Sequence, residues 1–314
     1  MPDPDPHLPD PHLPEILNWL MQGDPAVAYM TARDLLDEDR PDLNARIATE
    51  GWGAALLAAR RADGHWGRGF YFPKWTSTHY TLLDLANLSC PPVPEIVASV
   101  DAVLDELTAG RPGGKTVYTD TCINGMVLNY ASRFGAAGAH LAPTVDFLLA
   151  DAMPDGGFNC MRARSGARHS SLHSTTSVLE GFAAYRAAGH GYRAEEVDAQ
   201  AEAARAFILR HRFYRSDRTG AVIHPDFLKF PVSPRWYYNI LRGLDHFAVV
   251  GAPYDDRMDD ALDVLVSKRG RDGRWKANAA KSGERHVEME QAGKPSRLVT
   301  LTALRVLRAY PRAG

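Results

Sequence analysis

Apolar residues recur along much of this chain at spacings of three and four. In residues 93–108 they fall at Val97, Val100, Val103, Leu104 and Leu107, one stripe of a helix that turns once every ~3.6 residues. Residues 141–151, 194–212 and 255–268 repeat that spacing. A second set of helix-like stretches alternates with the first: residues 24–36, 75–88, 119–134, 169–185, 235–247 and 296–310. Five of these carry a leucine followed by a polar residue, at Leu83-Asp84, Leu128-Asn129, Leu179-Glu180, Leu241-Arg242 and Leu304-Arg305, with intervals of 45 to 63 residues. Alternation of period two is almost absent, and proline and glycine sit between the stretches rather than inside them. The pattern predicts an all-α fold of about twelve helices paired into six hairpins. Nothing marks a linker after residue 15, so residues 16–314 are expected to form one domain behind a disordered, proline-rich tail at 1–15.

Turn signals punctuate the repeats. Asp63-Gly64-His65-Trp66, Asp155-Gly156-Gly157-Phe158 and Asp272-Gly273-Arg274-Trp275 each precede one helix of a pair. A helical array that only binds partners, such as an armadillo solenoid, is the competing architecture. Its signatures lie elsewhere in the repeat. The helix starts here are also unusually polar: residues 75–79, 118–122, 169–173, 235–238 and 296–297 carry His, Cys, Asp, Arg and aromatic side chains. Five such starts read as the rim of one shared cavity, which a closed set of inner helices would supply.

Composition narrows the function without naming it. The 314 residues are 45% hydrophobic and 24% charged, and a chain of this size needs no disulfide or metal merely to hold a core. The formal charge of −2 gives no bulk pull toward nucleic acid or an anionic membrane. No apolar run approaches the roughly 18 residues of a membrane span. Three cysteines, Cys90, Cys122 and Cys160, suit a reducing compartment or a thiol with a chemical role. The amino terminus lacks the basic and apolar blocks of a signal peptide, so a cytoplasmic location is expected.

The Asp-Gly-x-aromatic turns and paired helices resemble the α/α toroids of terpenoid cyclases (the squalene-cyclase-like repeat proteins) and protein prenyltransferase β subunits, over roughly residues 51–310. The resemblance implies six inner and six outer helices. Asp120-Thr121-Cys122 is similar to the Asp-x-Cys zinc motif of prenyltransferase β subunits, and the run from Gly156-Gly157 through Arg164 and Arg168 to His173 is similar to that family's turn, basic loop and histidine ligand. Cys122 and His173 each stand six residues before the repeat leucine. By resemblance, Asp120, Cys122 and His173 would hold one Zn2+ with a fourth position left for substrate or water. Cys160 is a possible fourth ligand that would close the site. The bland reading of the same residues is a helix cap, a small core thiol and a satisfied histidine.

The chain also departs from the family. Basic residues are absent six and three positions before Asp120, where Gly114 and Val117 stand, and Ile123 replaces a tyrosine. The Asp-x-Asp-Asp acid of terpene cyclases is missing. Further candidates are His79 as a general base, His169 as a neighbour of the metal, and Arg235 with Trp236, Tyr237 and Tyr238 as an aromatic, cationic rim. His286, Glu288 and Glu290 are expected in a surface loop or lid, and Asp255, Asp256, Asp259 and Asp260 on a solvated helix face. Three functions follow as expectations. The first is a zinc enzyme acting on an apolar or thiol-bearing small molecule. The second is a noncatalytic toroid holding a hydrophobic ligand beside a structural zinc. The third is a cyclase-like enzyme without the usual acid.

Overall fold

The computed structural model describes residues 11–108 and 120–312. Gly114, Val117 and the start of the stretch at 119–134 lie outside the described residues, as do residues 1–10 of the expected tail. In chain order the helices are α1 (Leu13–Met21), α2 (Pro25–Leu35), α3 (Pro41–Arg46), α4 (Gly51–Ala58), α5 (Thr78–Asn87), α6 (Pro94–Thr108) and α7 (Thr121–Arg133). They continue as α8 (Gly138–Ala150), the short α9 (Met161–Ser165), α10 (Leu172–Ala187), α11 (Ala194–Arg210), α12 (Ile240–Val249), α13 (Asp259–Ser267) and α14 (Arg297–Ala309). Among the described residues β pairing is limited to three isolated bridges, so the chain is all-helical as its periodicity predicts. The first helix begins at Leu13, inside the stretch expected to be tail. No helix among the described residues is long and apolar enough to cross a membrane.

Burial divides the helices into two kinds. Along α7 every residue from Thr121 to Ser132 is buried, and α5 is buried from Thr78 to Ala86. A helix covered on all sides belongs inside a fold. By contrast α11 buries only Val197, Ala201, Ala204, Phe207 and Ile208, a single stripe. The covered helices pack in succession: α5 on α7, α7 on α10, α10 on α12, α12 on α14 and α14 on α2. The striped helices lie against them, with α6 on α5, α8 on α7, α11 on α10 and α13 on α12. The tightest seam joins α7 to α10. A Cβ at Gly125 would stand 2.7 Å from the Ser177 carbonyl oxygen, and one at Gly181 would stand 2.4 Å from that of Gly125. Only glycine allows backbones this close.

Each Asp-Gly-x-aromatic turn is fastened to the helix it precedes. The N–H of Trp66 donates to Thr78 Oγ1 at 3.1 Å, that of Phe158 to Thr175 Oγ1 at 3.0 Å, and that of Trp275 to Thr300 Oγ1 at 3.0 Å. Each hydroxyl donates back to the carbonyl of the same aromatic residue. The ring then drops into the core, where Trp66 Nε1 donates to Leu56 O and Trp275 Nε1 to Leu265 O, at the ends of the preceding helices. The turn glycines Gly64, Gly156 and Gly273 have φ of 86°, 95° and 74°, the left-handed region. Counting four residues on from each threonine aligns Leu82, Leu179 and Leu304. The leucine-polar step of the first repeat is therefore one residue out of register with the others.

Replacing Thr300 by Val removes both bonds and leaves the buried Trp275 N–H unpaired, while its C=O keeps the 2.8 Å bond from the Ser296 N–H. We expect about 1–3 kcal/mol of lost stability by urea denaturation, with Thr300→Ser recovering most of it.

Candidate functional site

The polar positions of the covered helices converge. A cavity of about 660 Å3 is lined by side chains from α2, α5, α7, α10, α12 and α14, among them Asp84, Asn129, Glu180, Arg242 and Arg305, the polar members of all five leucine-polar steps. Most of its charges are paired. Buried Arg242 grips Glu180 with Nε at 2.7 Å and Nη2 at 2.6 Å. Arg305 grips Asp245 in the same way at 2.7 and 2.8 Å and also reaches Asp34. Burial works to lower the Arg305 pKa, but these two carboxylates leave it raised. His246 also lines the cavity, and burial pushes its pKa down to about 4. Leu83, Leu241, Leu298 and Leu301 supply apolar wall.

A smaller cavity of about 260 Å3 lies beyond the segment that precedes α12. Pro231, Ser233, Pro234, Arg235 and Asn239 line both spaces, so this segment is the partition between them. It is pinned to α5 by Ser233 Oγ, which donates to Asp84 Oδ1 at 2.6 Å. Arg235 is only 5% exposed and holds a left-handed φ of 57°. Its guanidinium carbon lies 4.4 Å from the Trp75 ring centroid, and its Nε and Nη1 have no hydrogen-bond partner. Tyr237 lines the smaller cavity, stacks on Trp236 at 3.9 Å and carries Lys281 Nζ 5.0 Å above its ring. The expected rim is therefore one structure.

His173 belongs to this rim. The Tyr238 N–H donates to His173 Nδ1 at 2.7 Å, and Phe227 and Trp236 meet the ring edge-on at 5.3 and 5.2 Å. Burial, then the nearby Arg242, His224 and Lys281 charges, lower its pKa to about 4. The ring is neutral above that pH. With Nδ1 accepting, its proton sits on Nε2.

The other expected zinc ligands stand elsewhere. Asp120 precedes α7 without capping it through its side chain, and its carboxylate is paired with Arg164. Cys122, in the first turn of α7, is buried beside the Cys160 thiol, and the two thiols shift one another. The Cys160 N–H donates to Ser174 Oγ on α10 at 3.1 Å. The bond from Cys122, helped by the Ser174 hydroxyl, outweighs burial and draws the Cys160 thiol down to about 6; the Cys122 thiol is raised well above its ordinary value. Among the described residues no three His, Cys, Asp or Glu side chains form a group that could hold a metal ion. In this arrangement the Asp120–Cys122–His173 set does not fit zinc: the carboxylate is taken by an arginine, and the histidine offers a proton rather than a lone pair.

The remaining candidates separate. His79 is fully buried among Phe70, Tyr71, Tyr80 and Tyr130, and burial pushes its pKa down to about 3. It lines neither cavity. His169 is exposed, and its Nε2 accepts from Arg218 at 2.8 Å. His286 Nε2 donates to Thr76 O at 3.0 Å, and Glu290 accepts from the Arg297 N–H at 2.7 Å, so their loop is tied down at both ends. Asp260 pairs with Arg215 at 2.6 Å on the outer face. Sequence reasoning missed Trp75 and Ser174 as parts of the two sites. Trp75 stands in a helix start already singled out as polar, whereas nothing in the sequence marks Ser174.

Iodoacetamide should label Cys160 first, with a rate that rises through pH ~6 and levels near neutrality. Cys122→Ala removes the donor that stabilises the thiolate. Its profile should move to higher pH, so labelling at pH 7 slows; peptide mapping against pH measures both.

No protein-family model matches this chain, and no curated protein matches it, so the site has to speak for the function.

Proposed function

We propose that the covered helices α2, α5, α7, α10, α12 and α14 form the inner layer of an α/α toroid related to terpenoid cyclases and prenyltransferase β subunits, and that its central cavity holds a small amphipathic molecule. One observation carries this reading: six helices from along the whole chain contribute to a single 660 Å3 space. A solenoid would spread the same positions along an open surface. The size suits a small organic ligand, and the leucine wall offers its apolar part a dry contact. Paired arginines and carboxylates around that wall give fixed polar contacts without adding a loose charge.

The thiol pair favours a second reading, the enzyme. Cys160 is partly exposed and ionises near neutrality, so it can act as a nucleophile or as a soft-metal ligand. A zinc ion in this chain would then rest on Cys122 and Cys160 rather than on His173, and Asp120 could join only by leaving Arg164.

Two measurements test these readings. An apolar anionic dye such as anilinonaphthalene sulfonate should bind the native protein saturably, in the central cavity rather than in the space of about 960 Å3 between α10 and α11. Thr302→Trp, on the wall of the central cavity alone, should abolish that binding while leaving helical circular dichroism and the melting temperature unchanged; undiminished dye binding would remove the central-cavity reading. For the metal, elemental analysis of native protein should show zinc that is lost in Cys122→Ala and Cys160→Ala and kept in His173→Ala. Loss in His173→Ala would restore the Asp120–Cys122–His173 set, and zinc-free native protein would remove the metal from both.

A further inference from the structure

We infer that the 260 Å3 cavity beside α10 is an oxyanion pocket, built to take the phosphate or carboxylate group of a small molecule with donors from His173, Arg235 and Lys281. This goes one step beyond the central-cavity reading and rests on it only for the rest of the ligand, across the partition.

Three observations carry the inference. The first is Arg235. The residue is only 5% exposed, and its buried Nε and Nη1 make no hydrogen bond. A buried guanidinium with unmade bonds is costly. Stacking on Trp75 at 4.4 Å offsets part of that cost but satisfies no N–H. Asp84, engaged by Ser233, is near enough for its charge to act on Arg235 but makes no bond to either orphan nitrogen. Arg235 is held in place by a backbone conformation that disfavours side chains, at φ 57°. A strained residue holding an unsatisfied cation in a cavity wall is what a binding site requires and a core does not.

The second is the tautomer of His173. Because the Tyr238 N–H occupies Nδ1, the neutral ring can offer this cavity only Nε2–H. Above the pH at which the ring charges, it is a donor and cannot accept. The third is the charge balance of the lining. Lys229, Arg235 and Lys281 are cationic, and Asp226 is the single carboxylate, bonded to both lysines at 2.7 Å. His224 is the other titratable imidazole on the wall. The pocket is left with two positive charges beyond its own carboxylate. An oxyanion can accept from the His173, Arg235 and Lys281 donors, and the one carboxylate of the lining, Asp226, is already held by Lys229 and Lys281.

The pocket carries its own reporters. Trp75 lies under Arg235, and Trp236 stacks on Tyr237, so occupancy should change tryptophan emission. The native full-length protein would be titrated with inorganic phosphate and, separately, with acetate, against chloride at matched ionic strength, reading emission and heat. A saturable response to at least one oxyanion is expected; a response to phosphate alone assigns a phosphate group, and one to acetate alone a carboxylate. Losing one charged hydrogen bond should weaken binding roughly 10- to 100-fold in Arg235→Met and in His173→Phe. His173→Gln, which keeps an N–H donor, should recover part of the loss, as should Arg235→Lys if the methionine variant does not fold. Arg46→Met, on the outer surface, should bind as the native protein does. Excess chelator should change nothing. Responses equal to chloride, saturable binding undiminished in both Arg235→Met and His173→Phe, or binding abolished by chelator would each overturn the pocket. The Thr302→Trp variant separates the two readings: it should lose the dye and keep the anion.

Discussion

A threonine hydroxyl clasped to a turn aromatic sets the height at which the inner helix begins, and much else in this protein depends on that height. At Thr78, Thr175 and Thr300 the same pair of bonds reaches back to Trp66, Phe158 and Trp275. The aromatic ring anchors the turn in the core, and Trp66 and Trp275 also cap a carbonyl at the end of the previous helix. Three levels are thereby locked: the end of one helix, the turn, and the start of the next. Once the starts are level, residues one turn further on are level too. That is why polar side chains from helices far apart in sequence line one cavity.

Levelling polar residues inside a fold creates an electrostatic problem. Where a covered helix turns a charged side chain into the shared space, water is scarce and the charge needs a partner. Arg242 with Glu180 and Arg305 with Asp245 and Asp34 solve it by bidentate pairing. Such pairs add little net stability against an apolar replacement, but breaking one is costly, so they fix which helix faces which. Arg235 is the exception. It has the burial of the paired arginines and lacks their partners, and it stands where the chain crosses between two cavities. Arg242 and Arg305 are satisfied by carboxylates of the chain itself, and Arg235 is not.

Much of the helical fold was legible because it rests on periodicity. The apolar stripes at residues 93–108 and 194–212 became α6 and α11 within two residues at each end. The polar helix starts did form a rim, at least from Trp75 through His173 to Tyr237. Legibility failed where the outcome depends on distance across the fold. The short helices α1, α3 and α9 have no long stripe to betray them. His79 looks identical in sequence to a cavity histidine, yet four rings enclose it. The role of Cys160 depends on meeting both Cys122 and Ser174, residues 38 before and 14 after it, and no local pattern encodes that.

The misplaced zinc set has a more general cause. Cys122 and His173 stand six residues before equivalent leucines, which gives them equal height and equal azimuth, about 100° per residue around each axis. Equal azimuth on helices packed in succession does not make two side chains converge. Unless they face the common centre, each points at the next helix along. Cys122 on α7 accordingly meets Cys160, which is bonded to Ser174 of α10, while His173 on α10 meets Tyr238, which leads into α12. The two residues perform the same geometric act one step apart. What they then become is decided by what they meet. Beside Cys122 the pKa of the Cys160 thiol is lowered, whereas the imidazole that accepts a backbone N–H is left holding its proton on the far nitrogen. Equal register alone therefore does not bring two such side chains onto one ion; their neighbours decide which way each is engaged.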